Sequence, residues 1–466
     1  MNELRIAHED QRRLQAHLFP GDHDEHGAVL LAGRHRRGDG GMLLTVREMH
    51  LLGADEFPPG HHGYRQLAAS ALARLGNRAA DENLALVTAH SHPGAGDRNA
   101  LSPDDLAAHE RVFPHLLDIT GTGVVGGVAF GERSAAGELW AEDGTRGPLD
   151  QVRVIGANID YLRSRSQVSD YPGEERFDRQ LRLFGAAGQS RLRALHVAVL
   201  GAGGGGSILA EQLAHLGVGR LTIVDPDVVK THNLSRIVGA QEGDARHARK
   251  KVEVAARNVR RIDPKIEVAA IVGDVAILDV ARRLLDCDYM LLATDTHTAR
   301  LVANAIAQSF LIPLVQIGAK VDANSGGGIE QIYTAVRPVF GRRGCLSCAG
   351  LIDPVALAHE AATSQERRNQ NYLGDPEVID PSVTTLNAAA AAGALNVFLM
   401  GTIGQAEEEL GAHRITLTRE GTSLELRVPH LQACRWCGEH TSSRYARADL
   451  SLLPLRASTP AWRPVR

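Results

Sequence analysis

Residues His196–Leu213 read HVAVLGAGGGGSILAEQL. An apolar run reaches Gly201, a glycine loop follows, and the pattern then switches to a helical period. Gly201, Gly203 and Gly206 match GxGxxG, with Gly204 inside the loop. Glycine lets backbone approach a phosphate, and the following helix presents free N–H groups to it. Downstream come RLTIVD (220–225), KKVEVAARNVRRI (250–262), IEVAAIV (266–272) and YMLLATD (289–295). Short apolar runs alternating with amphipathic ones predict βαβ units, a parallel sheet and an α/β fold.

Composition agrees with a globular protein. The chain has 466 residues, 44% hydrophobic and 23% charged, long enough for two or three domains. A net charge of −4 gives no strong field for nucleic acid or an anionic membrane, so neither is expected as a partner. The N-terminal MNELRIAHED is too charged for a signal peptide, and a cytoplasmic protein is expected. The longest uncharged stretch, 381–405, is long enough to span a membrane. Its Asn387, Asn396, glycines and many alanines predict a buried helix instead. The expected domains are 1–150, a linker at 151–175, a second domain at 176–440 and a tail at 441–466.

The glycine loop alone fits an NAD or FAD enzyme, with Asp225 on a ribose. Its neighbours point elsewhere. Arg179-Gln180 precede it, and Asp227, Asn233-Leu234-Ser235-Arg236, Lys251 and Asp295 follow. Hydride transfer needs no set of cations with an extra carboxylate, whereas an adenylation site does: Arg and Lys neutralise phosphates and a carboxylate holds Mg2+. Over about 176–440 this set resembles the ThiF/MoeB/ubiquitin-activating superfamily, in the family order. The resemblance implies a Rossmann-like ATP-binding domain in a homodimer. Asp225 would bind ribose, Asn233, Arg236 and Lys251 would contact phosphates, and Asp295 would act at Mg2+. Asp227 belongs to the same set, and Arg179 would reach the ATP of a partner protomer.

A second pattern lies upstream, in LALVTAHSHPGAGDRNALSPDD (84–105). His90 and His92 are two apart, so on a strand they share a face and can share a divalent ion. Asp105 is placed to be a third ligand, with Asp104 the alternative. Ser102 reads as a helix N-cap with Asp105 three residues on. HxHP followed by SxxD, with Glu25, Gly27 and Gly33 in EHGAVLLAG, resembles the JAMM/MPN (JAB) metallopeptidase family. That implies an α-β-α domain in which His90, His92 and Asp105 bind a catalytic Zn2+. Glu25 would be the general base and Ser102 would stabilise the oxyanion. The interval from His92 to Asp105 is two residues longer than the family's. His23, His26, His61 and His62 read as loop residues.

Cys345 and Cys348 form one CxxC, Cys434 and Cys437 another. Four thiolates in two knuckles suit a structural, tetrahedral Zn2+, which the superfamily carries at these places. Cys287 reads as a buried core residue. The segment 349–385, where many activating enzymes keep a nucleophilic cysteine, has none. The acyl group then passes to an outside nucleophile or to a hydroxyl such as Ser364, Ser382 or Thr384; Ser382 also reads as the N-cap of the Ala-rich helix. Together the resemblances imply a bifunctional enzyme of a bacterial ubiquitin-like pathway, of a kind in some cases linked to phage defence. It would adenylate the C-terminal tail of a small Gly-ending protein, with a conjugating-enzyme-like protein as a further partner. It would also cleave the amide after that tail. Sulfur-carrier activation, or a non-catalytic binding scaffold, is the alternative.

Overall fold

The computed structural model describes residues 1–57, 68–165, 173–323, 328–361 and 381–457. The chain forms two compact units. One comprises Met1–Val168, Gln308–Leu311 and Cys437–Leu452; the other Ser169–Ala307, Ile312–Trp436 and Leu453–Arg466.

The first unit is a mixed sheet of nine strands. They are β1 (Glu3–Ala7), β2 (Gly27–Arg36), β3 (Met42–Leu51), β4 (Ala85–Ser91), β5 (Val124–Phe130), β6 (Ala135–Ala141), β7 (Arg146–Leu149), β8 (Gln151–Ile155) and β9 (Ile159–Leu162). Their order is β7-β6-β5-β4-β2-β3-β1-β8-β9. Successive residues of a strand face opposite sides, and here both sides are apolar. In β2, Ala28, Leu30 and Ala32 pack with Leu14 and Leu18 of the helix His8–Leu18. Val29 and Leu31 pack on the other face with Leu75 of the helix Ala69–Asp81 and with Phe113 and Leu116 of the helix Pro103–Thr120. The result is a helix–sheet–helix sandwich.

Two expected boundaries are corrected. Residues 151–162, expected within the linker, are β8 and β9 of this sheet. Residues 437–452, expected partly as tail, are built into this unit. Thr45 Oγ1 donates to Ala446 O at 2.9 Å, and Arg47 donates to the carbonyls of Tyr445, His440 and Thr441. Arg447 pairs with Glu82 at 2.6 Å. A Cβ on Gly33 would lie 2.3 Å from Arg447 backbone, so glycine is what lets this segment cross β2.

The second unit contains β10 (His196–Leu200), β11 (Arg220–Val224), β12 (Glu267–Ile271), β13 (Tyr289–Leu292), β14 (Leu314–Ala323), β15 (Ile329–Val339), β16 (His413–Leu417) and β17 (Thr422–Leu426). Their order is β12-β11-β10-β13-β14-β15-β16-β17. The first five are parallel and the last three add on antiparallel. Every residue of β10 and β13 is buried, as an uninterrupted apolar strand requires. From β10 the chain steps outward through β11 and β12, then returns to β13 and steps the other way. The order therefore reverses between β10 and β13, the switch point at whose C-terminal strand ends sheets of this kind bind ligands.

The uncharged stretch forms the helix Thr384–Ile403, which packs on the helix Gly204–Leu216 and on β14 and β15. Among the described residues it is the one helix long and apolar enough to cross a membrane, and half of its apolar window is buried. Its N-cap is Val383, without a side-chain bond. Ser382 is therefore not the cap, and its hydroxyl accepts from Asn387 Nδ2 at 3.1 Å.

Two candidate functional sites

In the first unit, antiparallel pairing sets Gly27 of β2 opposite His90 of β4. Glu25, two residues before β2, thereby lies within the electrostatic reach of His90, His92 and Asp105. His90 and His92 flank the fully buried Ser91, whose Oγ accepts from His26 N at 2.9 Å. Their Nε2 atoms are 3.1 Å apart. Asp105 is brought to them by a capping box: Ser102 Oγ accepts from Asp105 N at 3.1 Å, and Asp105 Oδ2 accepts from Ser102 N at 2.7 Å. Asp105 Oδ1 is 3.1 Å from His90 Nε2, and Oδ2 is 3.4 Å from His92 Nε2. Asp104 is exposed on the same turn.

Ligands about 2.0–2.1 Å from Zn2+ at tetrahedral angles stand roughly 3.3 Å apart. The two ring nitrogens have about that spacing, one Asp105 oxygen stands near each of them, and one donor atom from each residue lies within 4.8 Å of the others, so this set can surround a tetrahedral ion with one position left over. Burial raises the Asp105 carboxyl, but hydrogen bonds from His90 and His92 outweigh it and hold the group far below the usual carboxylate range. Its hydrogen bond to Asp105 raises His92, against burial. Burial pushes half-buried Glu25 up, partly offset by the histidines, which suits a group that must accept a proton. The Ser102 hydroxyl donates to Asp105 Oδ2 at 2.8 Å. Its one proton is committed there, so the oxyanion contact expected of Ser102 requires that bond to be exchanged.

Two neighbours escaped the sequence reading. Asn99 Oδ1 lies 3.0 Å from His92 Nδ1. His109, one turn past Asp105, bonds Glu138 at 2.8 Å and stacks on Phe113. The i, i+4 spacing from Asp105 was a usable signal for His109; nothing local marked Asn99. Of the other histidines, His26 pairs with Asp22 and His23 is exposed, while His61 and His62 lie outside the described residues.

In the second unit the glycine loop leaves β10 at this switch point. Gly201 has φ +93°, and a Cβ on Gly206 would lie 1.8 Å from Gly201 O, so helix and strand meet there only without side chains. Gly203 caps the helix Gly204–Leu216 with no side-chain bond, leaving its first N–H groups for a ligand. At Gly204 the side chains of Asn387 and Arg236 close in: a Cβ would lie 2.3 Å from Asn387 Nδ2 and 3.4 Å from Arg236 Cδ. Asp225, buried at the end of β11, accepts from Ala202 N at 2.7 Å and from Asp227 N at 2.8 Å. Its carboxylate braces the glycine loop and keeps lone pairs beyond these two bonds.

Lys251 Nζ is 2.7 Å from Asp227 and 3.8 Å from Asp225. Asn233 is buried and accepts from Lys230 N at 3.0 Å, and Arg236 donates to His232 O at 2.9 Å. Asp295 is exposed in the loop after β13, where its charge acts on the half-buried Arg300. The next helix, His297–Phe310, has two N–H groups held by Glu360 at 2.8 Å each. Arg179 is exposed on the helix Asp178–Ala194. Asn387 and Glu360 were not anticipated, because they approach from far along the chain.

The sulfurs of Cys345, Cys348, Cys434 and Cys437 all lie within 4.8 Å of one another. Cys345 is 3.8 Å from Cys348 and 3.7 Å from Cys434. Sulfurs about 2.3 Å from Zn2+ stand roughly 3.8 Å apart at tetrahedral angles, so this cluster also fits the metal. Cys287 is fully buried with its thiol pushed far up by burial, as a core residue should be. Ser364 lies outside the described residues.

The family model described as "ThiF family" matches residues 177–432, more than half of the chain. The chain belongs to that family. It is 31% identical over 187 residues to the "Sulfur carrier protein ThiS adenylyltransferase" of Bacillus subtilis, covering 37% of this chain and 53% of that protein. It is 31% identical over 190 residues to the "Molybdopterin-synthase adenylyltransferase" of Escherichia coli, covering 39% and 75%. It is 36% identical over 131 residues to the "SAMP-activating enzyme E1" of Haloferax volcanii, covering 28% and 48%. The chain spans about half the length of the Bacillus and Haloferax relatives.

Proposed function

We propose that this protein adenylates the C-terminal carboxylate of a small ubiquitin-like or sulfur-carrier protein ending in Gly, and that its first unit hydrolyses the amide following such a tail. The observation that supports the first activity is the uncapped helix N-terminus after β10, with Arg236 beside Gly204 and Lys251 on Asp225 and Asp227, in a member of the ThiF family. The tail carboxylate attacks the α-phosphorus of ATP. The bond to the β-phosphate breaks, leaving an acyl-adenylate and pyrophosphate. Helix N–H groups, Asn233, Arg236 and Lys251 take the charge that develops on the phosphates. Asp295 is the residue that would hold Mg2+, which when bound neutralises the leaving phosphates. Asp225 holds the ribose. A homodimer would bring Arg179 to the partner's nucleotide.

The acyl-adenylate has no cysteine to meet in 349–385. It passes to an outside nucleophile, such as a conjugating-enzyme-like thiol, or to sulfide in the sulfur-carrier reading, which the likeness to the ThiS-activating relative favours. ATP–pyrophosphate exchange should depend on a Gly-ending partner and fall at least 100-fold in Asp295→Ala; exchange that persists there overturns the role of Asp295.

The peptidase reading rests on the donor spacing of His90, His92 and Asp105. Zinc, when bound there, polarises a carbonyl and acidifies water. Glu25 then takes the water proton and returns it to the departing amine. Glu25→Gln should lower cleavage of a tail-extended substrate at least 100-fold while zinc content stays constant. Cleavage that survives metal removal would sink this half of the proposal. The protein is proposed to work in the cytoplasm.

A further inference from the structure

The stretch between His92 and Asp105 is two residues longer than the JAMM resemblance implies, and its geometry gives that length a purpose. The loop is tied down at several points. Glu132 accepts from Gly94 N and Gly96 N at 2.8 Å each. Ser134 Oγ donates to Gly96 O at 2.9 Å, and Arg133 pairs with Asp97 at 2.8 Å. Both glycines have positive φ, +83° and +55°, so the loop turns where only glycine turns cheaply. It delivers Asn99, which is buried, against the ring of His92.

The orientation of the Asn99 amide follows from its neighbours. Its Nδ2 lies 2.9 Å from Ala129 O, which only accepts. Its Oδ1 lies 2.9 Å from Ala100 N, which only donates. Oδ1 therefore faces His92 Nδ1 as an acceptor, and Nδ1 must carry a proton. In the neutral ring that leaves the lone pair on Nε2, the atom that stands among His90 and Asp105.

We infer that Asn99 is a positioning residue that locks His92 in the tautomer and ring angle required to ligate a divalent cation. This deepens the proposed zinc site and rests on it. The longer loop supplies the hydrogen-bond acceptor that a metal-bound imidazole needs at its other ring nitrogen, a contact worth about 10–100-fold in metal affinity.

The test is zinc titration of the full-length protein with its four-cysteine site already filled, read by competition with a chromophoric chelator. The unaltered chain should take up one further zinc, and His92→Ala should abolish that uptake. Asn99→Ala should weaken it about 10–100-fold. Asn99→Asp keeps an acceptor for His92 Nδ1 but loses the donation to Ala129, and should hold zinc far better than Asn99→Ala. If the unaltered chain takes no further zinc, the metal reading falls and this inference with it. If it does, and Asn99→Ala binds equally tightly, the metal site stands and the role of Asn99 is wrong. Equal weakening in Asn99→Ala and Asn99→Asp would assign the residue to loop anchoring and overturn the tautomer argument.

Discussion

His413 is nine-tenths or more buried on β16, with Nε2 donating to Pro338 O at 3.2 Å. Burial, aided by the nearby Arg337, brings its pKa from 6.5 down to about 4. The unfolded chain therefore binds a proton near 6.5 that the folded chain refuses until about 4. Between those values the unfolded state holds more protons, so stability falls as pH drops, and below about 4 this contribution is spent. The expected loss is roughly 3 kcal/mol for a shift of this size. His413→Gln keeps a donor and cannot titrate. Urea midpoints at pH 7.5 and 4.5 should converge in this variant relative to the unaltered protein; an unchanged pH dependence would show that another group controls it. Glu3 is a second buried titrating centre. Burial opposes its charge, but Arg153, Arg5 and Arg37 hold it ionised far below the usual range. Neither group announces its burial in the sequence, because charge and exposure are normally associated.

Among elements, the segment 437–452 is the least foreseeable. Its Ser- and Arg-rich sequence lacks a helical or strand period, so composition reads it as a tail. It is held by hydrogen bonds from Thr45 and Arg47 to its carbonyls and by the Arg447–Glu82 pair, with Gly33 making room below it. Backbone carbonyls are acceptors in every residue, and so carry no sequence signature. Gly33→Ala puts a methyl group where Arg447 backbone lies and should free this segment. Tryptic cleavage at Arg444 or Arg447 should then rise tenfold or more, since about 1.4 kcal/mol of lost local stability is a tenfold change in the open population. Unchanged cleavage would mean that β2 shifts instead. The helix Pro103–Thr120 is the opposite case. Ser102 and Asp105 mark its start by their spacing alone; the N-cap forms as read, and Asp105 completes it as a capping box.

At the scale of the whole molecule, the two sites are assembled in separate units by separate elements and share no residue. Their proposed chemistries should separate by mutation. Glu25→Gln should leave ATP–pyrophosphate exchange within about twofold, and Asp295→Ala should leave amide cleavage within about twofold, each measured on the full chain. Strong cross-inhibition would show that the sites are coupled.

The sequence alone determined whatever depends on near neighbours. Alternating apolar runs set strand against helix, and the glycine pattern set the loop after β10. The spacing of two put His90 and His92 on one face, and each CxxC made a knuckle. These are consequences of backbone period and of residues a few bonds apart, where geometry allows little choice. Tertiary structure decided which distant groups meet: Asp105 with the histidines across an unusually long loop, Asn99 on His92, Asn387 at Gly204, and the segment 437–452 across Gly33. Such contacts come from the packing of whole elements, and strand order and sheet twist fix that packing only once the chain has collapsed around its apolar faces.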